Sequence, residues 1–457
     1  MVAIGPAGLS EEQIAARIER LPLSAWYLRV MAIVGTAHFF DAFDSLTIAF
    51  VLPVLAGTWH IAPGAIGFLI SSGYVWQLLG AVGLGWAAER LGRLSILRWT
   101  LALIALASIA CAFAGDFRTL VALRFVQGLG LGAEVPVAAT YLNELSKAAY
   151  RGRLIIFLQS CFAIGIAITS FLAIWIIPHL GWQAMFVLGA LPALIALWAR
   201  RLVPESPRWL AGRGRLAEAD AAMVRIEAQA SRHSTRPLPP LPAGIPPVRH
   251  ERAGWASLFR GIYLRRTLSA WALTFCTSFV GYGLLTWVPT LFRTVYHLSM
   301  TATLHDSFVF SALGVLGALA CLVLIDWIGR RACFLISFLG GAAPLLALWA
   351  LGAAVTADEL MWLGSVSLVF MGFLLTGVYV YIPEIYPTRM RALGIGVASS
   401  WLRIASIVGP TIVGLILGRA GIGPVFLMFG AVGLVGALVV ALFVIETRGR
   451  ILEDIAP

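Results

Sequence analysis

Apolar runs of about 20 residues recur from one end of this chain to the other, separated by short charged or Gly/Pro-rich breaks. A run of that length crosses a bilayer as one helix. Twelve spans are predicted, near residues 28–54, 63–86, 94–114, 118–141, 153–177, 182–202, 267–293, 303–325, 332–352, 359–385, 390–418 and 422–445. A β-barrel is excluded, because its strands alternate polar and apolar residues over about ten positions. Residues 203–266 are the one long polar segment, with a helical amphipathic stretch, LAEADAAMVRIEAQA, followed by a proline-rich spacer, PLPPLPAGIPP, at 237–247. The predicted organisation is a short N-terminal amphipathic helix plus six spans (1–202), a connecting loop (203–266), and six further spans with a tail (267–457).

Composition agrees: 60% of residues are hydrophobic and 12% charged, against about 25% charged in soluble domains. The net charge of +11 raises the question of nucleic acid, but topology accounts for it. Loops after spans 2, 4, 6, 8 and 10 hold Arg90, Arg93, Lys147, Arg151, Arg153, Arg200, Arg201, Arg330, Arg331, Arg389 and Arg391, whereas the opposite loops hold only Arg118, Arg293 and Arg419. The positive-inside rule then predicts both termini in the cytoplasm. The first 24 residues carry acids where a signal peptide needs basic residues, so no cleaved leader is expected. The five cysteines, in or beside spans and without a CxxC pair, read as buried free thiols, and no metal site or cofactor is expected.

The two halves repeat. YLNELSKAAYRG begins at Tyr141 and YIPEIYPTRMRA at Tyr381, an offset of 240, each with an arginine ten residues after the tyrosine (Arg151, Arg391). ERLGR at Glu89 matches DWIGRR at Asp326, an offset of 237, and PESPR at Glu205 matches ETRGR at Glu446, an offset of 241. Three motifs at nearly one offset predict an all-α membrane protein of twelve helices in two pseudo-symmetric six-helix bundles, the plan of a secondary transporter.

Against this apolar background the buried charges stand out. HFFDAFDS sets Asp41 and Asp44 inside the first span, where each carboxylate costs about 2.5–3.5 kcal/mol on insertion scales. With His38 and Ser45 they form one polar stripe, and two acids three residues apart are expected to titrate as a coupled pair that carries protons. The alternative is a structural pair bonded to neighbouring helices. In span 4, Glu134 is a candidate proton relay and Arg124 a neutralising partner for a span 1 acid, with Gln127 on Glu134's face. Residues 128–133 satisfy G-x-G-x-x-A, but no strand precedes them, so this is no dinucleotide site. Arg403 in span 11, flanked on its face by Ser399, Ser400 and Ser406, offers a guanidinium either to a substrate carboxylate or to a salt bridge across the bundle. Phe39, Phe40, Phe43, Tyr74, Tyr282, Trp287, Tyr379 and Trp401 are aromatic candidates for gripping a flat ring, Tyr282 and Tyr379 foremost; the bland reading of each is packing.

Gly85-x3-Glu89-Arg90-x-Gly92-Arg93 resembles the loop signature of the major facilitator superfamily, with Glu for Asp and Leu94 for the last basic residue. RFVQGLGLGAEVPV, PESPRWL, YIPEIYPTRMRALGIG and ETRGRILEDI resemble its sugar-porter-like branch, which includes organic ion transporters and synaptic vesicle glycoprotein 2 relatives. HFFDAFD resembles bacterial aromatic-acid/proton symporters and, with the other motifs, bacterial niacin permeases. Span 7, FVGYGLLTWVPT, lacks the glutamines of sugar porters. In this family setting Glu89, Arg90, Arg93, Glu144, Arg151, Asp326, Arg330, Arg331, Glu384 and Arg391 are gate and hinge candidates, their acids expected to pair with arginines and helix ends across the seam between the halves.

The resemblance implies an inner-membrane, monomeric importer of a small organic anion, nicotinate or a similar aromatic monocarboxylate, moving with protons by alternating access. Two rivals stay open: an exporter of organic cations, with the span 1 acids binding the cation, and a non-transporting membrane sensor. No HExxH, GxSxG or P-loop supports an enzyme.

Overall fold

The computed structural model describes residues 10–22, 24–147, 151–192, 194, 203–232, 238–241 and 254–449. Among these, a short helix α1 (Glu11–Glu19) precedes α2 (Ala25–Thr58), α3 (Pro63–Leu91), α4 (Arg93–Ala112), α5 (Phe117–Leu145), α6 (Arg151–Leu180) and α7 (Gln183–Gly189). The connecting region carries α8 (Pro207–Gly212) and α9 (Leu216–Ser231). The second half comprises α10 (Ile262–Thr294), α11 (Met300–Ile328), α12 (Arg330–Leu351), α13 (Ala357–Glu384), α14 (Thr388–Ala420) and α15 (Gly423–Phe443). Eleven of them, α2–α6 and α10–α15, are long and apolar enough to span a membrane. Of the predicted sixth span, only α7 and a few following residues are described; its remainder, with Arg200 and Arg201, lies outside the described residues, as do most of the proline-rich spacer and the side chains of Arg151 and Arg153.

Several helices run past the apolar stretch that predicted them. α3 continues through Glu89 and Arg90 to Leu91, and a glycine ends it: Gly92 has φ 106°, as does Gly329 at the end of α11. That backbone region is open to glycine without steric cost. Both turns feed directly into the next helix, which explains why the ERLGR and DWIGRR motifs share a spacing.

Small residues let the helices of each half close on one another, as expected where no water drives packing. α3 packs on α5 and α11 on α13. A Cβ on Gly132 would collide with the Gln77 carbonyl, and one on Gly372 with the Gly314 carbonyl. Gly372 is Gly132 shifted by 240, and Gly314 is the position of Gln77 shifted by 237, the offsets of the sequence motifs. The repeat is therefore structural as well as textual.

Between the halves, α3 meets α14, α6 meets α11 and α2 meets α10. The antiparallel α3/α14 pair records how the halves diverge. Gly414 lies against the Pro63 carbonyl, Gly67 against that of Pro410, and the Ser71 hydroxyl donates 2.6 Å to the Ile407 carbonyl. Next comes Gln77 against Arg403. Beyond them, a Cβ added to Gly83, Gly85 or Gly396 would meet nothing within 4 Å among the described residues. The halves are closed at the end remote from the arginine-rich loops and parted at the arginine-rich end. One apolar core crosses between them at the closed end, whereas the arginine-rich end of the first half has its own core with α1, α8 and α9.

α1 is strapped to α9. Arg17 bonds Asp220 at 2.5 Å and Glu227 at 2.7 Å, and Arg20 bonds Glu227 at 2.8 Å. Burial pushes the Glu227 carboxyl up, but the two guanidinium groups outweigh it and hold it below the ordinary range.

Candidate functional site

Asp44 is fully buried among α2, α4, α5 and α7. Its Oδ1 accepts from the Ser108 hydroxyl at 2.8 Å and from Gln127 Nε2 at 3.1 Å, while Oδ2 has no hydrogen-bond partner among the described residues. Arg124 does not reach this carboxylate. Its Nη1 donates to the Asp44 backbone carbonyl at 3.2 Å and to Gln127 Oε1 at 2.6 Å, so it neutralises the acid from a distance. Gly189 of α7 closes the top, leaving no room for a Cβ against Asp44 Oδ1 and the Ser108 hydroxyl.

Asp41 belongs to a different set. His38, Asp41 and Glu134 bring ligand atoms to within 4.8 Å of one another, all three buried. His38 Nδ1 is 3.5 Å from Glu134 Oε2, and its Nε2 is 3.4 Å from Gln159 Oε1 on α6. Neither Glu134 oxygen has a hydrogen-bond partner among the described residues. Asp41 and Asp44 thus have different hydrogen-bond partners while staying within electrostatic reach of each other. Ser108 and Gln127 bond Asp44, and His38 lies beside Glu134.

Arg403 projects from α14 towards the opposite half, where its Nη1 donates to Gln77 Oε1 of α3. Tyr74 and Tyr282 face each other with ring centroids 6.4 Å apart, linking α3 to α10 beside this contact. A small cavity opens against Tyr379, lined also by Thr274, Ile382, Pro383, Ser399 and Leu402. Phe39 and Phe40 are half-buried and stack edge to face at 5.2 Å. Other aromatic candidates lie elsewhere in this conformation. Phe43 and Trp287 are each 1% exposed and sit in the core, and Trp401 stacks on Trp271 at 5.2 Å. Ser400 bonds back to Gly396 of its own helix and Ser406 to Ser278 of α10, which leaves Ser399 on the cavity.

The arginine-rich corners form two matching clamps. Arg93 bonds Glu89 at 2.9 Å and Glu144 at 3.0 Å; Arg330 bonds Asp326 at 2.8 Å and Glu384 at 2.8 Å. Glu205 caps α4 by accepting from the Leu94 and Ser95 amides at 3.0 and 3.3 Å, and Glu446 caps α12 through the Arg330 and Arg331 amides at 2.9 and 3.0 Å. Burial raises the Glu446 carboxyl, yet four backbone N–H donors outweigh it and hold it low. Arg90 lies over the Trp86 ring at 3.8 Å, Arg331 donates to the Ala441 carbonyl, and Arg391 to that of Pro383. Among the described residues each clamp stays within its own half.

Sequence reasoning did not single out Gln77, Ser108, Glu205 or Glu446 as functional. Gln77 and Ser108 are polar residues in apolar spans, the same signal that marked Asp41. Glu205 and Glu446 were visible as repeat partners but not as helix caps.

Two helical bundles that part at one end around buried acids and a mid-span arginine define a membrane transporter of the major facilitator type. The chain belongs to the sugar (and other) transporter family, whose profile matches residues 45–457. It is 34% identical to the niacin transporter NiaP of Acinetobacter baylyi over 97% of this chain and 99% of that protein. It is also 30% identical to a gallate transporter of Pseudomonas putida over 93% of each. Among solved structures, the xylose transporter XylE from E. coli in a partially occluded inward-open conformation superposes with a TM-score of 0.76 at 21% identity, covering 94% of this chain and 100% of that one. The fold is the twelve-helix, two-bundle fold, and the protein is a multi-pass membrane transporter rather than an enzyme.

Proposed function

We propose that this transporter imports a small organic anion, nicotinate or a similar aromatic monocarboxylate, together with protons. The observation that carries the reading is Arg403, a partly buried guanidinium at the junction of the halves, bonded only to the neutral amide of Gln77 among the described hydrogen bonds. A carboxylate is the stronger partner for it, because a charge-assisted bidentate pair outweighs a neutral bond. Tyr74, Tyr282 and Tyr379, with the half-buried Phe39 and Phe40 of α2, supply aromatic surface for a flat ring. Relatives named for niacin and gallate support the substrate class.

In this reading Asp41, Asp44 and Glu134 handle protons while Arg403 holds the anion. The arginine-rich end and both termini face the cytoplasm, so the conformation is inward-facing, and the membrane is the inner membrane of a bacterial cell. Residues 1–202 and 267–457 are the moving units and 203–266 their connector. The site is complete within one chain, which favours a monomer.

The acids also support a rival, an exporter of organic cations, since His38, Asp41 and Glu134 present an acid-rich recess. Proteoliposomes under an inward proton gradient separate the two. The anion reading expects nicotinate uptake that rises with the gradient, is abolished in Arg403→Ala and resists competition by a hydrophobic amine. Uptake blocked by the amine and indifferent to Arg403→Ala would establish the rival.

A further inference from the structure

A guanidinium can grip both oxygens of a carboxylate along one edge, and three arginines of this chain use the same edge, Nε with Nη2. Arg17 bonds Glu227 through it at 2.9 and 2.7 Å, Arg215 bonds Glu218 at 2.7 and 2.6 Å, and Arg330 bonds Glu384 at 3.1 and 2.8 Å. In Arg17 and Arg330 the remaining nitrogen, Nη1, is tied to another oxygen, of Asp220 at 2.5 Å and of the Ile325 carbonyl at 3.4 Å. Arg403 is held in the same way. Its Nη1 donates to Gln77 Oε1, while Nε and Nη2 make no described hydrogen bond and are not sealed inside the protein. Arg124 is the contrast. A glutamine holds its Nη1 too, Gln127 at 2.6 Å, but its Nε is closed off from solvent without a partner. Of the two mid-span arginines, only Arg403 can therefore offer the Nε/Nη2 edge to a solute. Asp41 lies within electrostatic reach of Arg403, with no described bond between them, and so do the phenols of Tyr74, Tyr282 and Tyr379.

Gln77 is equipped to hold this guanidinium still. It is 4% exposed, and its backbone carbonyl lies against Gly132 of α5, where a Cβ would not fit. It belongs to the opposite half from Arg403, and Gly314, its repeat counterpart, has no side chain with which to reach across. Resting on the anion reading above, we propose that Gln77 is a positioning residue: its amide oxygen fixes Arg403 by Nη1, so that the Nε/Nη2 edge takes the substrate carboxylate side-on while Gln77 stays bonded. The anion joins the contact and does not displace it. A fork already held in place loses less freedom per bond formed than a free one. The guanidinium on the second half is thus aimed by an amide on the first, and tight binding requires α3 and α14 to touch at this level. No covalent bond forms or breaks.

Isothermal titration of the purified protein with nicotinate tests this. Gln77→Met keeps the length of the side chain and removes the acceptor, and affinity should fall about fivefold to tenfold. In an Arg403→Lys background, which keeps the charge but has no fork, the same change should alter affinity by less than roughly twofold. Gln77→Glu keeps an oxygen in place but adds a charge that offsets the guanidinium, so affinity should fall further than in Gln77→Met. Equal losses from Gln77→Met in the two backgrounds are what a packing role alone predicts, and they would overturn the positioning role. Unchanged or tighter binding in Gln77→Met would overturn it as well, the latter by showing that Gln77 competes with the anion. Gln77→Glu, which preserves the shape, carries the test if Gln77→Met does not fold, and native affinity in that variant would sink the proposal. A native protein that binds neither nicotinate nor benzoate would instead defeat the anion reading, and this inference with it.

Discussion

The two halves share a scaffold and differ in chemistry. Arg93, Glu144 and Glu205 in one half are matched by Arg330, Glu384 and Glu446 in the other, with bond lengths that agree to a few tenths of an ångström. The glycine contacts match as well. Yet at the 240-residue offset set by Gly132 and Gly372, Glu134 corresponds to Leu374, Arg124 to Gly364 and Gln127 to Ser367. The first half keeps acids and amides in its middle; the second keeps aromatics, serines and Arg403. What the duplication preserves is the packing that lets one half rock on the other. What it releases is the inner face, which under the proposed function specialises in protons on one side and anion on the other.

The largest expected effect breaks the asymmetric part. Arg403→Ala removes a charge-assisted contact of about 1.5–3 kcal/mol, and nicotinate KM in proteoliposome uptake should rise roughly tenfold to a hundredfold. A change under twofold would remove Arg403 from the anion side. The symmetric part calls for equal losses. Gly132→Val and Gly372→Val each push a side chain into a backbone carbonyl of the neighbouring helix, at about 1–3 kcal/mol or more. Their Tm losses in detergent should agree closely, and a loss confined to one half would break the scaffold equivalence.

Clamp substitutions are expected to have a somewhat smaller effect. Arg93→Ala and Arg330→Ala strip the partner from the part-buried Glu144 and Glu384, and similar destabilisation of about 1–2 kcal/mol should appear in both by chemical unfolding. The smallest effect belongs to the α1 strap, which has no counterpart described in the second half. Glu227 has a folded-state carboxyl held below its unfolded value. Its contribution is present above the unfolded pKa, about 4.3, and is lost as pH falls through the lower folded value. Protection of the amides of residues 11–19, measured against their intrinsic exchange rates, should therefore fall in acid below that range before protection in α10–α15 changes.

Much of the scaffold was legible because its signals are local or periodic. Apolar run length marked the spans, and motif spacing marked the repeat to within a few residues of the offsets that Gly132/Gly372 and Gln77/Gly314 obey. The ends of α3 and α5 were missed because a helix does not stop where hydrocarbon stops; Glu89 and Arg90 continue it to a glycine. The site was only half legible. Costly charges announced Asp41, Asp44, Glu134 and Arg403, but which of them share a pocket depends on helix rotation and on neighbours distant in sequence. Ser108 on α4 and Gln127 on α5 claim Asp44, Glu134 claims His38, and Gln77 of the other half holds Arg403. Trp287 and Phe43 looked the same as Tyr379 in the sequence, and only packing distinguishes core from cavity.

The central claim is a division of labour between the halves, and exchange against accumulation tests it most directly. Nicotinate-for-nicotinate exchange across proteoliposomes requires anion binding and alternating access but no net proton movement, whereas accumulation against a gradient requires protons. Asp44→Asn should retain exchange and lose proton-driven accumulation, while Arg403→Ala should lose both. Exchange abolished in Asp44→Asn, or preserved in Arg403→Ala, would contradict the account.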